Sequence, residues 1–260
     1  MNAFSNATRF LLVRLFPLAL PLFAQPGHAG PVVTVDRGIF PDLDAAITFQ
    51  VPGTPNSKAV RAVPLHSISA TEIACVLGRV PKKTDADRDG LPDAFDVLLG
   101  ARKLVANGAA YTEGYVRMPF PGGDVPRDQG VCTDTVIRTF RNAGFDLQKL
   151  IAEDIRRSPQ AYPRVKTPDT NIDHRRVPNL LRWFERHMTL VAKDAPVLPG
   201  DVVFLDTFPA KPGPDHVGIA SERRTADGRP LIINNWTVGY REGEMDLLSF
   251  VPVTHRFRVP

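Results

Sequence analysis

What most limits the folds open to this chain is the order of its local patterns. Helix-forming segments occupy residues 69–187, and short β-rich segments follow Pro199. Ser69-Ala70-Thr71-Glu72 has the spacing of a capping box, which starts a helix that Gly78 can end. A second helix is expected from about Pro92 to Asn107, stopped by Gly108. Two more are expected at about 131–143 and 147–157, closed by Gly144 and capped by Asp146 respectively, and another begins near Pro178 with Leu180, Leu181 and Phe184 on one face. Asp201–Leu205, His216–Ser221, Leu231–Asn235 and Phe250–Val259 then read as strands, separated by turn signals such as Pro199-Gly200 and Ala226-Asp227-Gly228. Helices first and an antiparallel meander afterwards predict an α+β domain rather than a Rossmann-like alternation.

The first 29 residues read as a signal peptide. Arg9 and Arg14 accompany an apolar stretch from Phe10 to Ala24, no acid precedes Asp36, and Gly27 and Ala29 are the small residues a signal peptidase reads. Pro17 and Pro21 interrupt the stretch, which falls short of a firm membrane span, so no transmembrane segment is expected after cleavage. The expected location is periplasmic or secreted. Residues 30–96 read as an N-terminal extension, with weak β alternation at Val32–Val35 and Ala46–Val51, and residues 97–260 as the main domain. The formal charge of +4 is spread over interleaved acids and bases with no basic run, which excludes a nucleic-acid partner. Two cysteines cannot form a disulfide scaffold, although a single Cys75–Cys132 bridge competes with any role for a free thiol in an oxidising compartment.

Residues 85–96 look built for calcium. Asp85, Asp87, Asp89, Asp93 and Asp96 stand at loop positions one, three, five, nine and twelve, Gly90 at the sixth, and the Leu91 carbonyl at the seventh. This is EF-hand spacing, with Asp96 replacing the usual longer Glu. The Asp-Gly-Leu-Pro-Asp core resembles the calcium repeats of secreted bacterial and thrombospondin-like proteins. The expected role of the ion is structural, tying the extension to the main domain. The competing reading is a solvated acidic turn that caps the next helix.

Cys132 carries the chemical argument. Gly130-Val131-Cys132-Thr133-Asp134 stands where a loop becomes a helix, and unpaired N–H groups there favour thiolate over thiol. His216, at the head of the strand Val217–Ile219, is the candidate base. The next strand ends in Asn234 and Asn235, of which one can orient the imidazole. Alternation lets only one of the two face the site, and Asn234 is preferred.

Leu198-Pro199-Gly200-Asp201-Val202-Val203-Phe204 followed by Asp215-His216-Val217-Gly218-Ile219 resembles NlpC-type cell-wall peptidases. Pro121–Pro126 running into Gly130–Asp134, then Asp169–Asn179, then the His216 strand resemble more closely an exported bacterial family, domain of unknown function twelve eighty-seven. The resemblance covers about residues 95 to 260 and implies a papain-like fold, a helix bundle packed on an antiparallel meander, with Cys132 and His216 as the catalytic pair. Such proteins often carry a His before the Asn, whereas this chain has Asn234 before Asn235. The resemblance and the export signal together point to an amidase or endopeptidase acting on peptidoglycan peptides. The alternatives are a non-catalytic module that grips cell-wall peptide or a protein partner, and a secreted effector amidase.

Arg175 and Arg176 are candidate clamps for substrate carboxylates, and His174 is a competing base. Asp134 and Asp215 flank the expected site and either position substrate or cap local structure. An upstream tyrosine near the oxyanion, as in NlpC-type enzymes, leaves Tyr111 and Tyr115 both open. Gln129 is a weaker oxyanion candidate, and Trp236 is placed to line a cleft.

Overall fold

The computed structural model describes residues 38–52, 60–208, 210–211 and 213–260; the expected signal peptide and residues 30–37 lie outside the described residues. The described chain begins with a hairpin. Strand β1 (Thr48–Pro52) pairs antiparallel with β2 (Val60–Pro64), and Phe49 lies opposite Val63 so that both point inward. Helix α1 (Ala70–Leu77) starts at the expected capping box. The Glu72 N–H donates to Ser69 Oγ at 3.3 Å, and the Ser69 N–H donates back to Glu72 Oε2 at 2.7 Å. Gly78 ends the helix in the left-handed region at φ 64°.

Helix α2 (Asp93–Asn107) is buried along most of its length and ends at Gly108. A two-residue strand, β3 (Ala110–Tyr111), pairs in parallel with β4 (Gln129–Gly130), which leads directly into α3 (Cys132–Asn142). Helix α4 (Leu147–Arg157) is capped by Asp146, whose carboxylate accepts the Lys149 N–H at 3.2 Å. Helix α5 (Val177–His187) packs Leu180, Trp183 and Phe184 inward.

The remaining strands are β5 (Thr189–Leu190), β6 (Val202–Leu205), β7 (His216–Arg224), β8 (Pro230–Asn234), β9 (Gly243–Met245) and β10 (Val253–Arg258). They form one sheet ordered β5-β10-β6-β7-β8-β9, with every neighbour antiparallel. Period-two alternation divides the sheet into two faces. Val202, Phe204, Val217, Ile219, Ile233 and Phe257 join the helices in the main core. Val203, Leu205, Ala220 and Ile232 pack on the opposite face with Leu247 and Val251.

The α+β expectation holds, with three differences. The last strand starts at Val253 rather than Phe250, because a 3-10 turn at Leu247–Ser249 leaves Phe250 exposed. Strands β3, β4, β5 and β9 were not anticipated, since two or three residues are too few to show a period. The boundary at residue 96 falls inside α2, and Phe49, Val63, Ile73 and Leu77 share one core with Phe140, Phe184 and Phe204. The described part of the extension is therefore built into the main domain. No helix among the described residues is long and apolar enough to cross a membrane.

Candidate active site

Cys132 is the first residue of α3, and the chain reaches it through a segment stitched to that same helix. Arg138, 1% exposed, donates to the carbonyls of Val125, Pro126 and Gln129 at 2.9–3.0 Å and pairs with Asp124 at 3.0 Å. The helix start is locked a second time. Asp134 Oδ2 accepts the Val131 N–H at 2.8 Å, and both Asp134 oxygens take the Arg175 guanidinium in a two-point pair at 2.8 Å. Arg175 also donates to the Gly114 carbonyl at 3.0 Å. These bonds set the position of the Cys132 backbone with little freedom left.

Opposite the helix start, His216 opens β7 and Asn234 closes β8. The register sets Ile219 against Ile233, so Gly218 lies across from Asn234, and His216 projects from the same face two residues away. His216 Nε2 lies 3.0 Å from Asn234 Oδ1. The Asn234 amide nitrogen donates to the Ile232 carbonyl at 3.1 Å, which turns its oxygen toward the ring. Nε2 therefore carries the proton, and Nδ1 keeps the lone pair of a base. The Trp236 ring meets the imidazole edge to face, with the two centroids 4.9 Å apart. On the helix side, the backbone N–H of Val217, the residue next to His216, acts directly on the Cys132 sulfur, as does that of Thr133. Helix start and strand start thus meet at the thiol.

The resting charge state differs from the expectation of a thiolate. Cys132 is 7% exposed, and burial pushes its thiol up to about 12 despite the Val217 and Thr133 N–H groups. Moving a thiol from 9 to about 12 corresponds to about 4 kcal/mol, while a helix N-terminus supplies about 1 kcal/mol, so burial wins. Burial likewise lowers His216 to about 4, with the Asn234 bond opposing. Near neutral pH Cys132 is therefore a thiol and His216 a neutral imidazole.

Other expected site residues take different places. Asn235 is buried and donates to the Gly130 carbonyl at 3.2 Å, bracing β4 rather than orienting His216. Arg175 spends its guanidinium on both Asp134 oxygens, and a guanidinium already held at both ends has no fork to offer a carboxylate. His174 is buried in the 3-10 turn Asp173–Arg175, which packs against α3, α4 and α5, and burial lowers it to about 4. Asp215 accepts the Thr207 N–H at 2.7 Å and its hydroxyl at 2.6 Å, which shapes the β6–β7 loop. Of the tyrosines, Tyr111 lies within the electrostatic reach of Cys132, which helps to hold its hydroxyl above the usual range after burial, and it bonds Glu113 at 3.1 Å. Tyr115 is 57% exposed and bonds Asp169 at 3.0 Å. Gln129 contributes its carbonyl to Arg138. Both cysteines are free, Cys75 at the surface of α1, so the competing bridge is absent.

A cavity of about 560 Å³ reaches the β6–β7 loop at Asp215, the residue before His216, and is also lined by Tyr162, Arg164, Asn179, Arg182 and Lys211. A smaller one beside it adds Arg176, which is exposed. Sequence reasoning missed Arg164, Arg182 and Lys211, whose chain positions carry no motif. It also missed Arg138 and Glu242. A charge on the apolar side of Val136-Ile137-Arg138-Thr139-Phe140 is the one signal that could have drawn attention to Arg138. Glu242 accepts from Thr135 Oγ1 at 2.6 Å, and burial raises it to about 7.

In the acidic loop, oxygens of Asp85, Asp87 and Asp89 lie within 4.8 Å of one another. Asp93 spends one oxygen on the Ala86 N–H at 2.8 Å, Leu91 is buried, and Asp96 is buried at the first turn of α2.

A family model described as domain of unknown function (DUF1287) matches residues 98–259. The chain belongs to this family. An uncharacterised Escherichia coli (strain K12) protein, YijF, is 41% identical over 152 residues, which are 56% of this chain and 73% of that one. Among solved structures, NlpC2 from Trichomonas vaginalis aligns with a TM-score of 0.40 at 16% identity, covering 81% of this chain and 69% of that chain. The DUF1287 match begins inside α2, so the acidic loop lies ahead of it.

Proposed function

We propose that this DUF1287 protein is an exported cysteine hydrolase of papain-like architecture that cleaves an amide bond in peptidoglycan peptides. The observation that carries the reading is the His216–Asn234 bond beside the N-terminus of the Cys132 helix, with the Val217 N–H against the sulfur. Asn234 holds the Nε2 proton, which leaves Nδ1 to take the thiol proton as sulfur attacks the carbonyl. Because the pair rests neutral, this transfer accompanies attack rather than preceding it. The N–H groups at the start of α3 are the donors available to the oxyanion. His216 then protonates the leaving amine, and water resolves the thioester. Arg164, Arg176, Arg182 and Lys211 around these two cavities suit the free carboxylates of such peptides.

Purified protein incubated with peptidoglycan and synthetic stem peptides is expected to release new amine termini detectable by mass spectrometry. Cys132→Ala is expected to lose this release while keeping its fold. Undiminished release by that variant refutes the mechanism.

One observation favours a second reading. A buried neutral thiol suits a module that binds cell-wall peptide without cleaving it. In that case wild type and Cys132→Ala bind stem peptide equally and neither releases an amine.

A further inference from the structure

Asp96 is fully buried, and neither of its carboxylate oxygens has a hydrogen-bond partner. The charges acting on it most strongly are Asp89, Asp87, Asp85 and Asp93, all of its own sign. One oxygen of Asp89 is likewise buried and without a partner. Lys103, a buried cation on the same helix, is committed elsewhere, with its Nζ 2.7 Å from Asp44 and 3.2 Å from Asn142. Interiors admit carboxylates when they are paired, hydrogen-bonded or bound to a metal, and the first two are missing at Asp96. Three of the acids whose charges reach it, Asp85, Asp87 and Asp89, bring one oxygen each within 4.8 Å of the others, a span that two bonds of about 2.4 Å across one ion would cover.

We propose that Asp85, Asp87, Asp89 and Asp96 bind one calcium ion, which fastens the N-terminal segment to the helix that carries Cys132. Every side chain offered is an oxygen donor, and neither His nor Cys belongs to the group, so the site selects a hard cation over zinc or copper. The twelve-residue loop can close around a large ion with the Leu91 carbonyl as a further donor, whereas magnesium demands a tighter octahedron and retains its water. The mechanical link is Gly144, which follows the last turn of α3. A Cβ at Gly144 would stand 3.0 Å from Asp87 Cβ and 3.1 Å from the Asp87 backbone nitrogen. The loop backbone is thus seated against the C-terminal end of the nucleophile helix, and its ligands continue into α2. The proposal rests on these residues alone and stands whether or not Cys132 is catalytic.

The test is calorimetric titration and thermal melting of the purified full chain after chelation, with calcium chloride to about 10 mM, magnesium chloride in parallel and sodium chloride at matched ionic strength. One calcium per chain and a Tm rise on the order of 5 to 10 °C are expected at saturation. Asp96→Asn relieves the buried charge, so in chelator it should melt no lower than wild type, and it should lose the calcium response. Absence of both heat and Tm change in the wild type overturns the site. An equal response to magnesium overturns the choice of calcium, and a full response in Asp96→Asn overturns the ligand set.

Discussion

Gly218→Ala is the perturbation that most directly probes how the sheet builds the His216–Asn234 pair. A Cβ at this position would stand 2.6 Å from the Ile233 carbonyl oxygen, 2.6 Å from Ile232 Cγ2 and 3.1 Å from Asn234 Cβ. Carbon normally keeps roughly 3.5 Å from such neighbours, so β7 and β8 must part by something under 1 Å. Neither the carbonyl nor the branched Ile232 can swing aside cheaply, and overpacking of this kind costs about 1 to 3 kcal/mol. That corresponds to a Tm fall of roughly 2 to 12 °C for a domain of this size. The functional effect is separate. Parting the strands takes Asn234 from 3.0 Å beyond hydrogen-bond reach of Nε2, which frees the imidazole to change tautomer. Denaturant unfolding reads the first effect, and the Nε2 proton resonance of His216 reads the second, independently of any substrate. A variant with wild-type stability and an unchanged Nε2 signal would refute the claim that glycine is required here to let the two side chains meet.

Further outcomes follow from the same geometry. Arg175→Leu leaves Asp134 buried without its partner and is expected to cost about 3 to 5 kcal/mol in urea unfolding, whereas a substrate clamp would leave stability unchanged and raise only KM. Alkylation of Cys132 by iodoacetamide is expected to be slow at pH 7. Because the thiol is raised to about 12, the thiolate fraction, and with it the rate, should climb about tenfold per pH unit from 7 to 10. A fast, flat profile would show that a resting ion pair forms after all.

Sequence and tertiary structure settled different matters. Signals that act within one turn of chain could be read directly: the Ser69–Glu72 capping box, the stops at Gly78 and Gly108, the Asp146 cap, and Cys132 at a helix start. Period-two alternation likewise separated Asn234 from Asn235, since adjacent strand residues face opposite ways. What the sequence could not decide depends on residues far apart along the chain. Arg175 looks available until Asp134, 41 positions earlier, takes both ends of its guanidinium. Tyr111 and Tyr115 look equivalent until the β3–β4 pairing carries one of them toward the thiol. Above all, local pattern favoured a thiolate at Cys132, and the packing of α3 against the sheet reversed that preference. A helix end acts through a few nearby dipoles, whereas the solvation lost by a buried sulfur reflects everything folded around it.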